Sequence, residues 1–419
     1  MLTSRRFLAP PLREYDLRIG MILQATIPPN DIRVEKEAGT LVRAGHEVHL
    51  LLERAGDQSR EEIWEGMRLL RGVRMSPVRE KFHRYTFNFT FRDGLWRRAI
   101  TSFVRDRKID VLHVHDLPLV GEAVRVGKAE GIPVVADLHE NFPGGLQVWY
   151  TSWLKKKTIY DFKRWARYER EILGEADAVI AVVEESKRRL EGIGIPGEKI
   201  YVVPNTAHRK GEQAPVDLGI LEKYRDRFVI SYVGKFSTHR GLDVMISAMP
   251  QLREAVPEVL LLLVGDRNRP YMDYLTGLVE RLGCGDAVEF TGWQDFESIW
   301  SYIHASDVCI VPHQRNPHTD TTIPHKIFQY MMLGKPALVS DCPPLARVIE
   351  DSGGGLVFRY NDPSDFAAKV KRLHDDPGLR ARVSSAGREA FLDRYNWEST
   401  SGGLLRLYDS LAGRTGGDV

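Results

Sequence analysis

Continuous apolar runs of strand length alternate with segments of helical period over almost the whole chain. Leu17–Leu23 (LRIGMIL) is the first run. Val34, Ala38, Leu41 and Val42 then recur on one helical face, and Ala44-Gly45 closes that segment before HEVHLLL. Apolar runs of this length, without strict alternation, read as strands buried on both faces of a parallel sheet. The signature returns at IDVLHVHD, VVADL, ADAVIAVV and KIYVVPN, and again at FVISYVG, EVLLLLVGD, AVEF, VCIVPH and ALVS. A strand–loop–helix–strand repeat is the building unit of a doubly wound sheet, so the predicted class is α/β.

One stretch interrupts the rhythm. Residues 206–226 (TAHRKGEQAPVDLGILEKYRD) are polar, contain Pro and Gly, and read as a linker. The 419 residues are long for one domain and comfortable for two. The predicted organisation is a Rossmann-like domain over 1–208, a second over 209–390, and a helical tail over 391–419 that begins near Asn396-Trp397. Gly353-Gly354-Gly355 marks a tight turn before a late strand.

Composition narrows the function classes. The formal net charge is +2, so no global field for a polyanion exists. Residues 79–108 interleave aromatic and basic side chains, but a loop and a helix account for them better than a nucleic-acid interface. Three cysteines (Cys284, Cys309, Cys342) form no metal spacing and suit a reducing compartment. No apolar run approaches the roughly 20 residues of a membrane span, and MLTSRRFLAPPLREYD lacks the apolar core of a signal peptide. The expectation is a cytoplasmic protein. Residues 149–173 form a predicted helix with Trp153, Ile159, Phe162, Trp165 and Ala166 on one face and basic flanks. It is either a core helix with a solvated face or a peripheral contact for an anionic membrane.

Chemistry concentrates at strand ends. VVADL delivers Asp137, His139 and Glu140 to its carboxyl end, and VLHVHD delivers His115 and Asp116; ligands of open α/β sheets bind there. FVISYVG runs directly into Lys235 and, five residues on, Arg240. In residues 316–341, Thr319, Asp320, Thr321 and Thr322 precede Pro324 and a short helix with apolar Ile327, Phe328, Met331 and Met332, closed by Gly334. A helix start of that kind favours anions.

KIFQYMMLGKPALVS also resembles the donor-binding helix of the retaining glycosyltransferases of family 4, written (P)-x-K-x-x-E-Y-M-x-x-G-x-P-V-V. DIRVEKEAGTLVRAGHEVHLL resembles the opening of many of these enzymes, and the likeness extends with gaps over nearly the whole chain. The resemblance implies the GT-B architecture, two Rossmann-like domains facing across a deep cleft, with a C-terminal helix crossing back to the first. It implies that His139, with Glu140 beside it, sits near the transferred sugar. Lys235 and Arg240 would neutralise the donor diphosphate, each replacing the other cation type of the family's G-R…K-G loop. Gly234, Gly265 and the Gly292-Trp293 loop would border the nucleotide. Thr321 and Gln329 stand where relatives carry two glutamates, with Thr322 beside the first, and Lys326 matches the motif's lysine. The first loop has Pro28-Pro29-Asn30-Asp31 in place of a Gly-Gly pair, so Asn30, Asp31 or Arg33 would supply side-chain contacts, a surface salt bridge being the other reading of Arg33. Asp116, Asn205 and Asp320 complete the acceptor or sugar side.

The implied reaction is transfer of a hexose-type sugar from a UDP-sugar, or less readily a GDP-sugar, to a hydroxyl of a glycan or lipid-linked acceptor, with retention. No cofactor or metal is expected, and the chain has no Asp-X-Asp triplet. Two other readings stand beside it: a GT-B nucleotide-sugar epimerase, which would need more carboxylates than Asp116, Asp137 and Glu140, and a nucleotide-sugar-binding subunit without turnover.

Overall fold

The structure is a computed structural model that describes residues 17–25, 31–74, 85–150, 152–265 and 269–415. Two sheets organise it. The first contains β1 (Arg18–Leu23), β2 (Glu47–Glu53), β3 (Glu61–Trp64), β4 (Met67–Val73), β5 (Val111–His115), β6 (Val134–Leu138), β7 (Ala178–Ala181) and β8 (Ile200–Val202), in the order β3-β4-β2-β1-β5-β6-β7-β8. The second contains β9 (Phe228–Val233), β10 (Val259–Val264), β11 (Val288–Gly292), β12 (Val308–Val311), β13 (Ala337–Ser340) and β14 (Gly355–Phe358), in the order β11-β10-β9-β12-β13-β14. Every pairing is parallel except β3 with β4.

Strands β5, β6, β7, β9, β10, β12 and β13 are buried at every position. Helices on both faces demand this, and it explains why these runs lack polar alternation. Strand order reverses between β1 and β5 in the first sheet and between β9 and β12 in the second. Each reversal opens a crevice at the carboxyl ends of the strands.

The C-terminal helix Gly402–Thr415 returns to the first sheet. Leu404, Leu407, Tyr408 and Leu411 share one apolar cluster with Ile19, Val34, Leu41 and Val111. Trp397, in the same cluster, donates its indole N–H to Thr40 Oγ1 at 2.9 Å. The halves also meet directly. Arg347 grips Glu185 bidentately at 2.7 and 3.0 Å, and the Asn141 amide donates to the Pro317 carbonyl at 2.9 Å.

Some local expectations give way to capping chemistry. The single helix expected across 149–173 is two, Trp153–Thr158 and Phe162–Glu175, because Asp161 caps the second with bonds to Lys163 N and Arg164 N. Its aromatics divide accordingly: Trp165 is 2% exposed in the core, whereas Trp153 is 67% exposed. Within 79–108, the helix Gly94–Arg107 buries Trp96, Ile100 and Phe103, so these aromatics serve packing.

Candidate functional site

Both crevices open into one cavity of about 560 Å³. On the side of the second sheet its floor is made by backbone. Gly234, after β9, has φ 134°, and a Cβ on Gly265, after β10, would lie 2.0 Å from the Gly234 carbonyl oxygen. Only glycine allows these two chain segments to pass so closely.

Three basic side chains converge on the cavity at this crossing. Lys235 is exposed and stands two residues past β9, while Arg240 ends the 3₁₀ turn Thr238–Arg240. Lys326 opens the helix Lys326–Met332, and its ammonium lies 3.6 Å from the centre of the Tyr232 ring. Burial, reinforced by Arg240, holds the Lys326 ammonium well below its ordinary pKa. Arg240 Nη1 donates to His313 Nε2 at 2.8 Å, which fixes His313 as a neutral acceptor. Burial and then Arg240 push His239 down to about 3 and His318 to about 4. This wall therefore carries fixed positive charge on Lys235 and Arg240, with the buried Lys326 and neutral imidazoles around them.

The opposite wall comes from the first sheet. His139 and Glu140 follow β6 and line the cavity with Asn205. His139 Nε2 lies 3.0 Å from Asp137 Oδ2, and its Nδ1 lies 3.8 Å from Asp116 Oδ1. Burial opposes a charge on His139, but the two carboxylates outweigh it and push the imidazole up to about 10. Glu140 is pushed up to about 7, first by burial and then by Asp116. Asp116 has φ 65° and ψ 148°, a backbone state that costs a non-glycine residue about 1–3 kcal/mol.

Of the residues singled out from sequence, His139, Glu140 and Asn205 meet Gly234, Lys235, Arg240, Gly265, Thr322, Lys326 and Gln329 in this cavity. The others lie off its lining for identifiable reasons. Asn30 falls outside the described residues. Asp31 caps the helix Ile32–Arg43, accepting from Arg33 N and Val34 N at 3.2 Å. Arg33 is neither a ligand contact nor a surface salt bridge: it is 3% exposed, bonded to both Asp137 oxygens at 2.7 and 3.1 Å and to Asn205 Oδ1 at 2.8 Å. Asp116 stands behind His139. Gly292 ends β11, and its carbonyl accepts from Gly265 N at 3.1 Å. Thr321 turns its hydroxyl to the Pro317 carbonyl at 2.8 Å, and Asp320 pairs with Arg315 at 3.2 Å. The motif helix begins two residues after Pro324, with Lys326 as its first residue.

Sequence reasoning missed His313, His318 and His325 as cavity residues. His313 carried the same signal that picked out His139, a histidine just past the carboxyl end of a buried strand. His318 and His325 sit on irregular backbone without such a signal. Four other donors, on Glu37, His113, His115 and Asp137, lie within 4.8 Å of one another beneath His139. The Arg33 guanidinium already contacts Glu37 at 2.8 Å and Asp137 at 2.7 Å, so an ion would have to displace it.

The sequence compares with known families in two blocks. Residues 33–208 match the family described as Glycosyltransferase Family 4, and residues 216–390 match Glycosyl transferases group 1. The chain belongs to these glycosyltransferases. The lipopolysaccharide core biosynthesis glycosyltransferase LpsD of Rhizobium meliloti is 29% identical over 195 residues, 46% of this chain and 53% of that protein. The sucrose-phosphate synthase of Thermosynechococcus elongatus superposes with a TM-score of 0.75 at 21% identity, covering 95% of this chain and all of that one. Anabaena HepE, solved in complex with UDP-glucose, gives a TM-score of 0.73 at 15% identity over 94% of this chain and 100% of its own. The glycosyltransferase thus has the GT-B fold, and nothing in these likenesses favours an epimerase or a subunit without turnover. No helix among the described residues is long and apolar enough to cross a membrane.

Proposed function

We propose that this glycosyltransferase moves a hexose-type sugar from a nucleotide diphosphate, UDP in preference to GDP, to a hydroxyl of a glycan or lipid-linked acceptor. Transfer proceeds with retention and without a metal. The observation that carries this reading is the convergence of Lys235, Arg240 and the buried Lys326 on the cavity at the Gly234–Gly265 crossing, with His139 and Glu140 lining the same cavity.

The chemical demand is a departing diphosphate that gains negative charge. Cations fixed before the reaction stabilise it without reorganising at the moment of bond breaking. The Gly234–Gly265 crossing brings bare backbone to the cavity lining, where phosphates would lie against it. Gln329 would accept a ribose hydroxyl through its amide oxygen, and the Gly292-Trp293 segment borders the base. The acceptor oxygen bonds to the anomeric carbon on the face from which the diphosphate leaves. Its proton passes to a phosphate oxygen, so no protein nucleophile takes part. UDP-glucose in the HepE complex supports the choice of base, and the name of the Rhizobium relative supports cell-surface polysaccharide or glycolipid synthesis. Exposed Trp153 and Leu154, beside Lys155 and Lys157, suit peripheral contact with an anionic membrane on the cytoplasmic side.

The test is incubation with UDP-glucose or GDP-mannose and a panel of alkyl glycosides in excess chelator, with the product anomer read by NMR coupling. An α-linked product from an α-linked donor supports the reading, and a β-linked product overturns retention. Interconversion of donor without acceptor would indicate the epimerase. Donor binding without turnover across the panel would indicate the binding subunit.

A further inference from the structure

Beneath the cavity wall lies a buried polar cluster that donor binding does not explain. Asp137, at the end of β6, is its hub. Its Oδ2 lies 3.1 Å from Arg33 Nε, 3.0 Å from His115 Nδ1 and 3.0 Å from His139 Nε2, while Oδ1 takes Arg33 Nη2 at 2.7 Å. His115 Nδ1 and His139 Nε2 also lie 3.0 Å apart, so the neutral His115 can accept from a protonated His139. Arg33, Asp137 and His115 are each at most 3% exposed. A carboxylate bonded to one imidazole nitrogen is the arrangement that makes a histidine a general base, since it leaves a lone pair on the other nitrogen. The other nitrogen here faces a second carboxylate. His139 Nδ1 is directed towards Asp116 Oδ1 at 3.8 Å, and a lone pair opposed to a carboxylate is repelled where an N–H is attracted. Asp116 reaches that position on a backbone otherwise almost confined to glycine.

We propose that Asp116 and Asp137 are positioning residues that clamp the His139 ring between them as a two-donor cation, with Arg33 keeping Asp137 ionised. His139 then holds a positive charge at the cavity wall, with Nε2–H turned to Asp137 and Nδ1–H towards Asp116, and takes no proton from the acceptor. This rests on the glycosyl-transfer reading of the cavity. It deepens that reading, because a cation at this place excludes base catalysis by His139.

The groups facing His139 are consistent with the charge. Asp137 and Glu140 belong to its own strand end, Asp116 and His115 to the end of β5, and Arg33 and Glu37 to the helix Ile32–Arg43. His113 lies below and His325 across the cleft. Burial works against the Asp137 carboxylate, but Arg33, His139 and the hydrogen bonds of His113 and His115 hold it well below its ordinary range. Burial lifts Glu37 to about 8, with Asp137 adding to the lift against Arg33. Burial lifts Asp116 above its ordinary range and Asp137 adds to the lift, while His139 opposes it. Arg33 against Asp137 and His139 against Asp116 are the cluster's opposed charges. Burial leaves His113 and His115 neutral.

Imidazole ¹⁵N spectra of the full chain test this without any ligand, with His139→Gln to assign the signal. The expected result is that both His139 nitrogens carry protons at pH 7.5 and titrate only above pH 9. Asp116→Asn should lower that titration by at least one pH unit, and Asp137→Asn should lower it further. In turnover, Asp116→Asn should acquire a basic limb, losing about tenfold in kcat per pH unit above the lowered titration point, while the wild type stays flat from pH 6 to 9. A neutral His139 in the wild type at pH 7.5, or an unmoved titration in Asp116→Asn, overturns the proposal. The wild-type spectrum decides even if Asp137→Asn fails to fold. Nucleotide binding, measured separately, reports failure of the donor reading on its own.

Discussion

Lys326→Met separates what the donor site costs the fold from what it does for binding. The Lys326 ammonium lies on the Tyr232 ring, and among the described residues the influences on it are burial and Arg240, both unfavourable to its charge. Methionine keeps the volume and apolar stem, and removes a desolvated charge. The gain in stability is about 1–2 kcal/mol at neutral pH, or a rise in Tm of roughly 2–4 °C per kcal/mol for domains of this size. The same change removes a charge-assisted bond to a phosphate, worth about 1.5–3 kcal/mol, so UDP binding weakens roughly 10- to 150-fold. The folded pKa lies below the unfolded one, so the unfolded chain binds more protons and wild-type stability rises with pH. The advantage of the variant therefore shrinks as the pH approaches about 10.5. Thermal unfolding without nucleotide, at pH 7 and 10, and UDP calorimetry at pH 7 measure both halves. A variant less stable than the wild type that binds UDP with unchanged affinity would refute the reasoning.

Other expectations follow from particular contacts. Gly265→Ala puts a Cβ 2.0 Å from the Gly234 carbonyl oxygen and 2.6 Å from Phe236 Cε1; a loss of about 1–3 kcal/mol in denaturant unfolding and of most UDP affinity is expected. Glu140, pushed up to about 7 by burial and Asp116, carries its charge only above that pH. UDP affinity should therefore fall as pH rises from 6 to 8, and Glu140→Gln should flatten this profile in calorimetry. Replacing Trp153 and Leu154 with serine removes exposed apolar surface and should abolish co-sedimentation with anionic vesicles while leaving UDP binding intact.

The fold was legible because burial on both faces leaves a local mark. Runs such as FVISYV and VLLLLV are buried at all six positions, and that demand wrote itself directly into residue type. The place of Lys235 in the cavity was legible for a related reason, since it stands two residues past the end of a buried strand. What stayed hidden depended on partners distant in sequence. Arg33 looked like a surface residue because its partner Asp137 is 104 positions away. Thr321 looked like a ligand contact because nothing local reveals a hydroxyl turned back to the Pro317 carbonyl. The break at Asp161 was visible in principle, as a capping aspartate ahead of Phe162, but the aromatic spacing on either side concealed it.

The most direct measurement is calorimetric binding of UDP, GDP and ADP, without added metal, to the wild type and to the double variant Lys235→Ala/Arg240→Ala. The account predicts that UDP binds more tightly than the other two and that the double variant loses this binding while retaining its fold. Absence of binding by all three nucleotides to folded wild-type protein, or full UDP affinity in the double variant, would contradict it.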